Sequence, residues 1–332
     1  NAHGLRGPDY DYPKPEATRR ILLLGDSVAA GFEVDDSQTS ARKLEDKLKT
    51  AGQWQVLNGG VRGYSTDQAY LYLTYEGFRY APDIVIYFFV SNDVEGNLKI
   101  HSQGKSYGKS YFTLDPQDNL LLQGIPVPKS YDPAEPTRVA HPSAAGYFDR
   151  LEGLGRKSDA AESKLRPRTI FLWVKRWLYK NSLLYQWVSA RIKKLPGMTA
   201  RLHTAGFVEH PGYVAPSAEM MEAGWAVTSK VIEAMRDFCD SIHAHFLVLE
   251  VVGRTSQPQK QLAEITDRLG IPVISTDAVF NSKNNALSAR IPDGLHWSAH
   301  GHSLASELVF DYLSRNGLLA PATPGSDARD AG

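Results

Sequence analysis

Side chains able to carry acyl-transfer chemistry stand near opposite ends of this chain. Ser27 closes the run Ile21-Leu22-Leu23-Leu24-Gly25-Asp26-Ser27. A serine hydroxyl attacks a carbonyl only when a base takes its proton. The candidate base is His296, in Asp293-Gly294-Leu295-His296. Aspartate and histidine three apart share one side of a turn, so Asp293 can fix the imidazole tautomer while the other ring nitrogen faces the serine. The tetrahedral intermediate carries an oxyanion, which needs pre-aimed donors. The backbone N–H of Ser27, that of Gly63 in the glycine turn 58–63, and the side-chain amide of Asn92 are candidates. Taken singly, each motif also reads as turn chemistry: Gly, Asp, Ser and Asn are ordinary turn residues, and Gly63 satisfies a positive φ.

What gives the set weight is the order of elements around it. The apolar run 21–24 reads as a buried strand. Ala41, Leu44, Leu48 and Ala51 recur at helical spacing, and a short strand follows at 54–57. Ser65 and Gln68 have capping-box spacing, with Leu71, Tyr75 and Phe78 as the stripe of the next helix. The third strand is Ile84 to Val90. This β-α-β-α-β order predicts a parallel sheet covered on both faces. It resumes after Pro216 with a long helix along Met221, Trp225, Thr228, Ile232, Met235, Cys239 and Ile242. A strand at 246–252, a helix at 257–269, a short strand at 272–275 and a last helix from Ser298 complete it. Leu304, Ala305, Leu308, Val309 and Tyr312 form the inner face of that helix. A parallel sheet gathers the C-terminal ends of its strands, so the four loops carrying Ser27, Gly63, Asn92 and His296 converge.

In order and spacing these four blocks resemble the SGNH, or GDSL-type, hydrolase family. Gly25-Asp26-Ser27 matches the first block, with Ser27 as nucleophile. Gly63 falls on the second-block glycine, Asn92 on the third-block asparagine, and Asp293 and His296 on the last block. The arm Gly4-Leu5-Arg6-Gly7 is similar to that of a bacterial subgroup, often exported or membrane-tethered. The resemblance covers residues 4–97 and 217–316. It implies a three-layer α/β/α sandwich with about five parallel strands and a Ser27-His296-Asp293 triad with an oxyanion hole of Ser27, Gly63 and Asn92. It implies no cofactor and no metal; Asp26 and Asp93 suit hydrogen bonds to neighbouring backbone. One departure stands in the third block, where Val90 occupies the usual glycine position. His300 and His302 read as packing or hydrogen-bonding groups near the last helix start.

The expected organisation is a discontinuous hydrolase domain of residues 1–97 and 217–320, opening with an arm over 1–18. An inserted helical cap or lid spans 98–216, and a tail over 321–332 is expected to be disordered. Within the insertion, residues 163–195 hold nine Lys or Arg and no acid, interleaved with Phe171, Trp173, Trp177, Tyr179, Tyr185 and Trp187. Three readings stay open: a cap with inward aromatics, an interfacial helix pair at an anionic membrane surface, and a groove for an acidic polysaccharide or other anionic partner.

Composition sets outer bounds. The 332 residues carry 37 basic and 37 acidic side chains, which argues against a chain-wide nucleic-acid binder. A single cysteine, Cys239, excludes an internal disulfide framework and reads as inert packing. No apolar run approaches the roughly 20 residues of a membrane span. The chain opens on Asn1 rather than Met, and export with an upstream segment removed is the expected localisation over the cytoplasm. The expected activity is hydrolysis of an O-acyl ester: acetyl or short acyl on a glycan, or a lipid ester. The alternatives are an O-acyltransferase using the same triad and a catalytically inert glycan- or membrane-binding module.

Overall fold

Strands that are apolar on both faces require cover on both faces. A computed structural model describes residues 1–100, 108–127, 217–253, 259–291 and 295–320. The sheet strands are β1 (Thr18–Gly25), β2 (Gln53–Gly60) and β3 (Ile84–Val90), and then β6 (His245–Val251) and β7 (Val273–Ser275). A separate hairpin pairs β4 (Tyr111–Leu114) with β5 (Leu120–Gln123). The described helices are α1 (Ser27–Ala30), α2 (Ser40–Leu48), α3 (Thr66–Tyr75), α4 (Asn92–Gly96), α5 (Ala218–Ser241), α6 (Lys260–Leu269), α7 (Asp277–Phe280) and α8 (Ala299–Arg315). The five-stranded sheet runs β2-β1-β3-β6-β7, parallel throughout. It is the central layer of an α/β/α sandwich, as expected from the sequence.

Alternation within each strand divides the core. Ile21 and Leu23 of β1 and Ile84, Ile86, Phe88 and Val90 of β3 face Leu44 and Leu48 of α2 and Val309 and Leu313 of α8. On the opposite face the Phe89 ring lies 5.7 Å from that of Trp225 in α5. Cys239 on that helix is a buried free thiol, pushed by burial up to about 12, which suits packing and not reactivity. Gly60 marks the closest backbone approach: a Cβ there would stand 2.4 Å from the Ala30 nitrogen, so β2 and α1 meet only through a glycine.

The N-terminal arm is laid against the sheet. Leu5 is buried, and Arg6 bridges Asn58 at the β2 edge. The fully buried Arg20 guanidinium donates to the carbonyls of Asp11 (2.8 Å), Tyr12 (2.8 Å) and Tyr80 (2.7 Å) and to Gln55 Oε1 (2.7 Å). A buried charge is tolerable only when its donors are satisfied in this way.

Two local expectations are overturned. Ser65 is the N-cap of α3, yet its side chain makes no capping bond; the Asp67 N–H is satisfied instead by Asn97 Oδ1 at 3.1 Å. The α3 stripe is also displaced. Tyr75 and Phe78 are exposed, while Thr66, Asp67, Ala69 and Leu73 are buried. The hairpin covers the Leu71 side of this helix. Phe112 of β4 packs on Val227 and Val231 of α5, with Tyr70 and Leu71 of α3 against them. A helix covered on two sides has no single apolar stripe. Sheet and hairpin lie in one compact unit, residues 1–130 with 224–332. The expected cap over 98–216, apart from 98–100 and 108–127, and its basic aromatic segment 163–195 lie outside the described residues, as does the tail over 321–332. Among the described residues no helix is long and apolar enough to cross a membrane.

His302 on α8 is buried, its Nδ1 facing the Ser40 hydroxyl at 2.8 Å and the Ser40 N–H at 3.2 Å. Burial pulls this imidazole down from 6.5 to about 3. It is therefore neutral in the fold but protonated in the unfolded chain below pH 6.5. The stability it contributes is complete above that pH and is lost as pH falls toward 3, a loss on the order of 4 kcal/mol. Urea midpoints measured across this window should fall more steeply for the wild type than for His302→Asn, whose Oδ1 can take the place of Nδ1. Parallel slopes would remove His302 from the acid sensitivity.

Candidate active site

At the C-terminal end of β1 the chain passes directly into α1. Asp26 caps that helix by accepting the Val28 N–H at 2.8 Å. Ser27 is its first residue and 8% exposed. His296 is held from the far end of the sequence. Its carbonyl accepts the Ile291 N–H at 2.9 Å, and Ser298 N–H donates to Ala289 O at 3.0 Å. The adjoining Trp297 is fully buried, with ring centroids 5.0 Å from Phe280, 5.4 Å from His302 and 5.7 Å from Phe88. Ser298 caps α8 by accepting the Gly301 N–H at 3.2 Å. Anchored on both sides, His296 places Nε2 2.8 Å from Ser27 Oγ. When the hydroxyl donates, Nε2 accepts and the ring proton sits on Nδ1, the state a general base requires.

The other expected residues fall as follows. Asp293 lies outside the described residues. Gly63 is exposed with φ +80° on the loop after β2, where Val61 N–H donates to Gly25 O at 3.0 Å. Asn92 is exposed at the first position of α4, separated from the end of β3 by one residue, Ser91. Strands β2 and β3 flank β1, with Gly25 in register with Gly60 and with Phe88. Gly63 and Asn92 thus follow the two strands beside the one that presents Ser27. Val90, at the position of the expected glycine, turns its side chain into the core, and its N–H donates to Asp93 Oδ2 at 2.9 Å.

Asp26 and Asp93 form a buried acid pair beneath this edge. Burial pushes Asp26 up to about 6, against the opposing pull of the Val28 N–H and of His296. Burial, with the Asp26 charge added, raises Asp93 well above the usual carboxylate range. Asp93 also accepts the Tyr87 hydroxyl at 2.6 Å. Both carboxyls are engaged in holding backbone, and among the described residues no group of three or more His, Cys, Asp or Glu is arranged to hold a metal. His302 packs as described above, and His300 is exposed beside Asn285 Oδ1 at 3.1 Å.

One charged neighbour of the imidazole carries no motif in the sequence. Glu33, on the turn after α1, brings Oε1 within 3.9 Å of His296 Nε2. Nothing in its local sequence separates it from the acidic residues Asp35 and Asp36 that follow. Only the position of the turn does.

No protein-family model and no curated protein sequence matches the chain. Solved structures do match. A lipase/acylhydrolase from Enterococcus faecalis is 14% identical over 92% of this chain and 98% of its own, with a TM-score of 0.43. The psychrotrophic esterase EstA from Pseudoalteromonas sp. is 10% identical over 90% of this chain and 99% of its own, with a TM-score of 0.44. The likenesses are to esterases and lipases. A GDSL-like lipase from Bacteroides thetaiotaomicron adds 10% identity over 90% of this chain and 89% of its own, with a TM-score of 0.38.

Proposed function

We propose that this chain is a serine esterase that hydrolyses O-acyl esters through an acyl-enzyme. The observation that supports it is the 2.8 Å contact between Ser27 Oγ and His296 Nε2 at the C-terminal edge of a parallel sheet. Ser27 Oγ attacks the ester carbonyl carbon while its proton passes to Nε2. The oxyanion accepts hydrogen bonds from the Ser27 and Gly63 N–H groups and the Asn92 amide, each donor contributing roughly 3–4 kcal/mol to the transition state. The carbon–oxygen bond breaks, and Nε2 returns its proton to the departing alcohol. A water molecule then gives a proton to Nε2 and attacks the acyl carbon; the bond from that carbon to Ser27 Oγ breaks, Nε2 returns the proton to Oγ, and the carboxylic acid leaves. Asp293 is assigned as the acid behind the imidazole. The substrates assigned are acetyl or short acyl esters on a glycan, or a lipid ester.

A fluorophosphonate probe tests this directly. One phosphonyl group per chain should appear by intact mass, and peptide mapping should place it on Ser27, with loss of p-nitrophenyl acetate turnover in proportion. Folded protein that neither labels nor turns over would leave a binding module as the better reading.

A further inference from the structure

Glu33 has a geometry that nothing in the proposed cycle uses. Its Oε1 stands 3.9 Å from His296 Nε2, too far for a hydrogen bond. Its Oε2 is buried and finds no hydrogen-bond partner among the described residues. A buried carboxylate oxygen without a donor is costly, and such atoms call for an explanation. The turn that carries it is also held with unusual care. Arg6, from the N-terminal arm, donates through Nη1 to Ala30 O at 3.2 Å and to Gly31 O, and through Nη2 to Val34 O. Those carbonyls bracket Glu33 on both sides. Arg6 Nε is paired with Asp36 at 3.8 Å, which keeps the guanidinium in place. The carboxylate is therefore preorganised at the edge of the imidazole from which a leaving alcohol takes its proton.

We propose that Glu33 is a specificity-determining residue that accepts a hydrogen bond from a hydroxyl next to the scissile ester oxygen, selecting monoesters of polyols and sugars. The assignment rests on the esterase reading. The departing oxygen must come within about 3 Å of Nε2 to receive its proton. A hydroxyl on the adjacent carbon then reaches a carboxylate on that side of the ring. The same negative charge disfavours alcohols that carry a carboxylate or phosphate at that position. Neutral alkyl esters leave Glu33 without a donor and lose the contact.

The test compares esters that differ at one atom position. 2-Hydroxyethyl acetate and ethyl acetate share the acyl group and nearly share shape, and acetoxyacetate puts an anion where the hydroxyl stood. Each kcat/KM is divided by the rate of alkaline hydrolysis, which removes intrinsic reactivity. The wild type should prefer the hydroxyethyl ester by about 10–100-fold, the range of a hydrogen bond to a charged group. Glu33→Gln, which keeps an acceptor but not the charge, should reduce that preference severalfold. Glu33→Leu should bring it near one, and both variants should gain on acetoxyacetate relative to ethyl acetate. Both esters use the same nucleophile and base, so the ratio is insensitive to any harm done to His296. A ratio unmoved in folded Glu33→Leu overturns this assignment alone. Wild-type protein that hydrolyses neither ester and leaves Ser27 unlabelled overturns the esterase reading, and this assignment with it.

Discussion

Ser27→Ala should lower the turnover of short acyl esters by about 10⁴–10⁶-fold, the range found when a serine nucleophile or its histidine is removed. The substitution deletes one hydroxyl that is 8% exposed and hydrogen-bonded to His296 at 2.8 Å. It leaves the Asp26 cap on the Val28 N–H untouched, because that bond belongs to the neighbouring side chain. Unfolding should therefore move by no more than about 1 kcal/mol, the net value of one such bond. His296→Ala should cost a similar factor. The double variant should be little worse than either single one, because nucleophile and base act as a unit. Steady-state kcat/KM with p-nitrophenyl acetate, alongside urea midpoints, separates the outcomes. Independent, multiplicative losses would show that the two groups do not share a proton. Full activity in Ser27→Ala would remove the nucleophile assignment.

The parts of this molecule that can be read in its sequence are those whose signal is local. The run 21–24 and the strand Ile84 to Val90 are apolar without alternation because the sheet is covered on both faces, and both strands fall where that pattern puts them. The last helix opens at Ser298 because an N-cap serine is a local device. The pairing of Ser27 with His296 follows from the loops that a parallel sheet collects at one edge. Other features depend on partners distant in sequence. The β4–β5 hairpin has a local signal, two apolar runs around the turn residues 115–119, but its docking on α3 and α5 does not. It covers Leu71 on one side of α3, while Tyr75 and Phe78 of the expected stripe stay exposed. The role of Arg6 emerges only when the arm folds back over the turn at 30–34. Glu33 is one of three acids in a four-residue stretch and differs from the others solely in where that turn leaves it.

The largest expected effect on stability lies beneath the same edge. Lys109, just before β4, is buried with Nζ 2.5 Å from the buried Asp67 carboxylate and 2.8 Å from Gly96 O. Asp67 also accepts the Gln68 N–H at 2.7 Å. Asn97, which accepts the Asp67 N–H, donates to Thr228 Oγ1 at 2.8 Å. One lysine thus ties the hairpin to the start of α3, the end of α4 and, through Asn97, to α5. Burial raises the Asp67 carboxyl and lowers the Lys109 ammonium, each opposed by the charge of the other. Removing one member leaves the other charge buried and unpaired, a loss of about 3–5 kcal/mol, whereas replacing both by neutral groups costs far less. Lys109→Met should therefore lower the urea midpoint strongly at pH 7, and adding Asp67→Asn should restore most of it. The pH dependence has a definite sign. Without the ammonium, Asp67 is raised further and binds a proton more readily in the fold than in the unfolded chain, so Lys109→Met should recover stability as pH falls toward the carboxylate range. Because α4 begins at Asn92 and ends at Gly96, loosening this tie should also lower kcat with p-nitrophenyl acetate more than it raises KM, as expected when an oxyanion donor loses its aim. Equal midpoints for Lys109→Met and the double variant would show that the pair is not coupled.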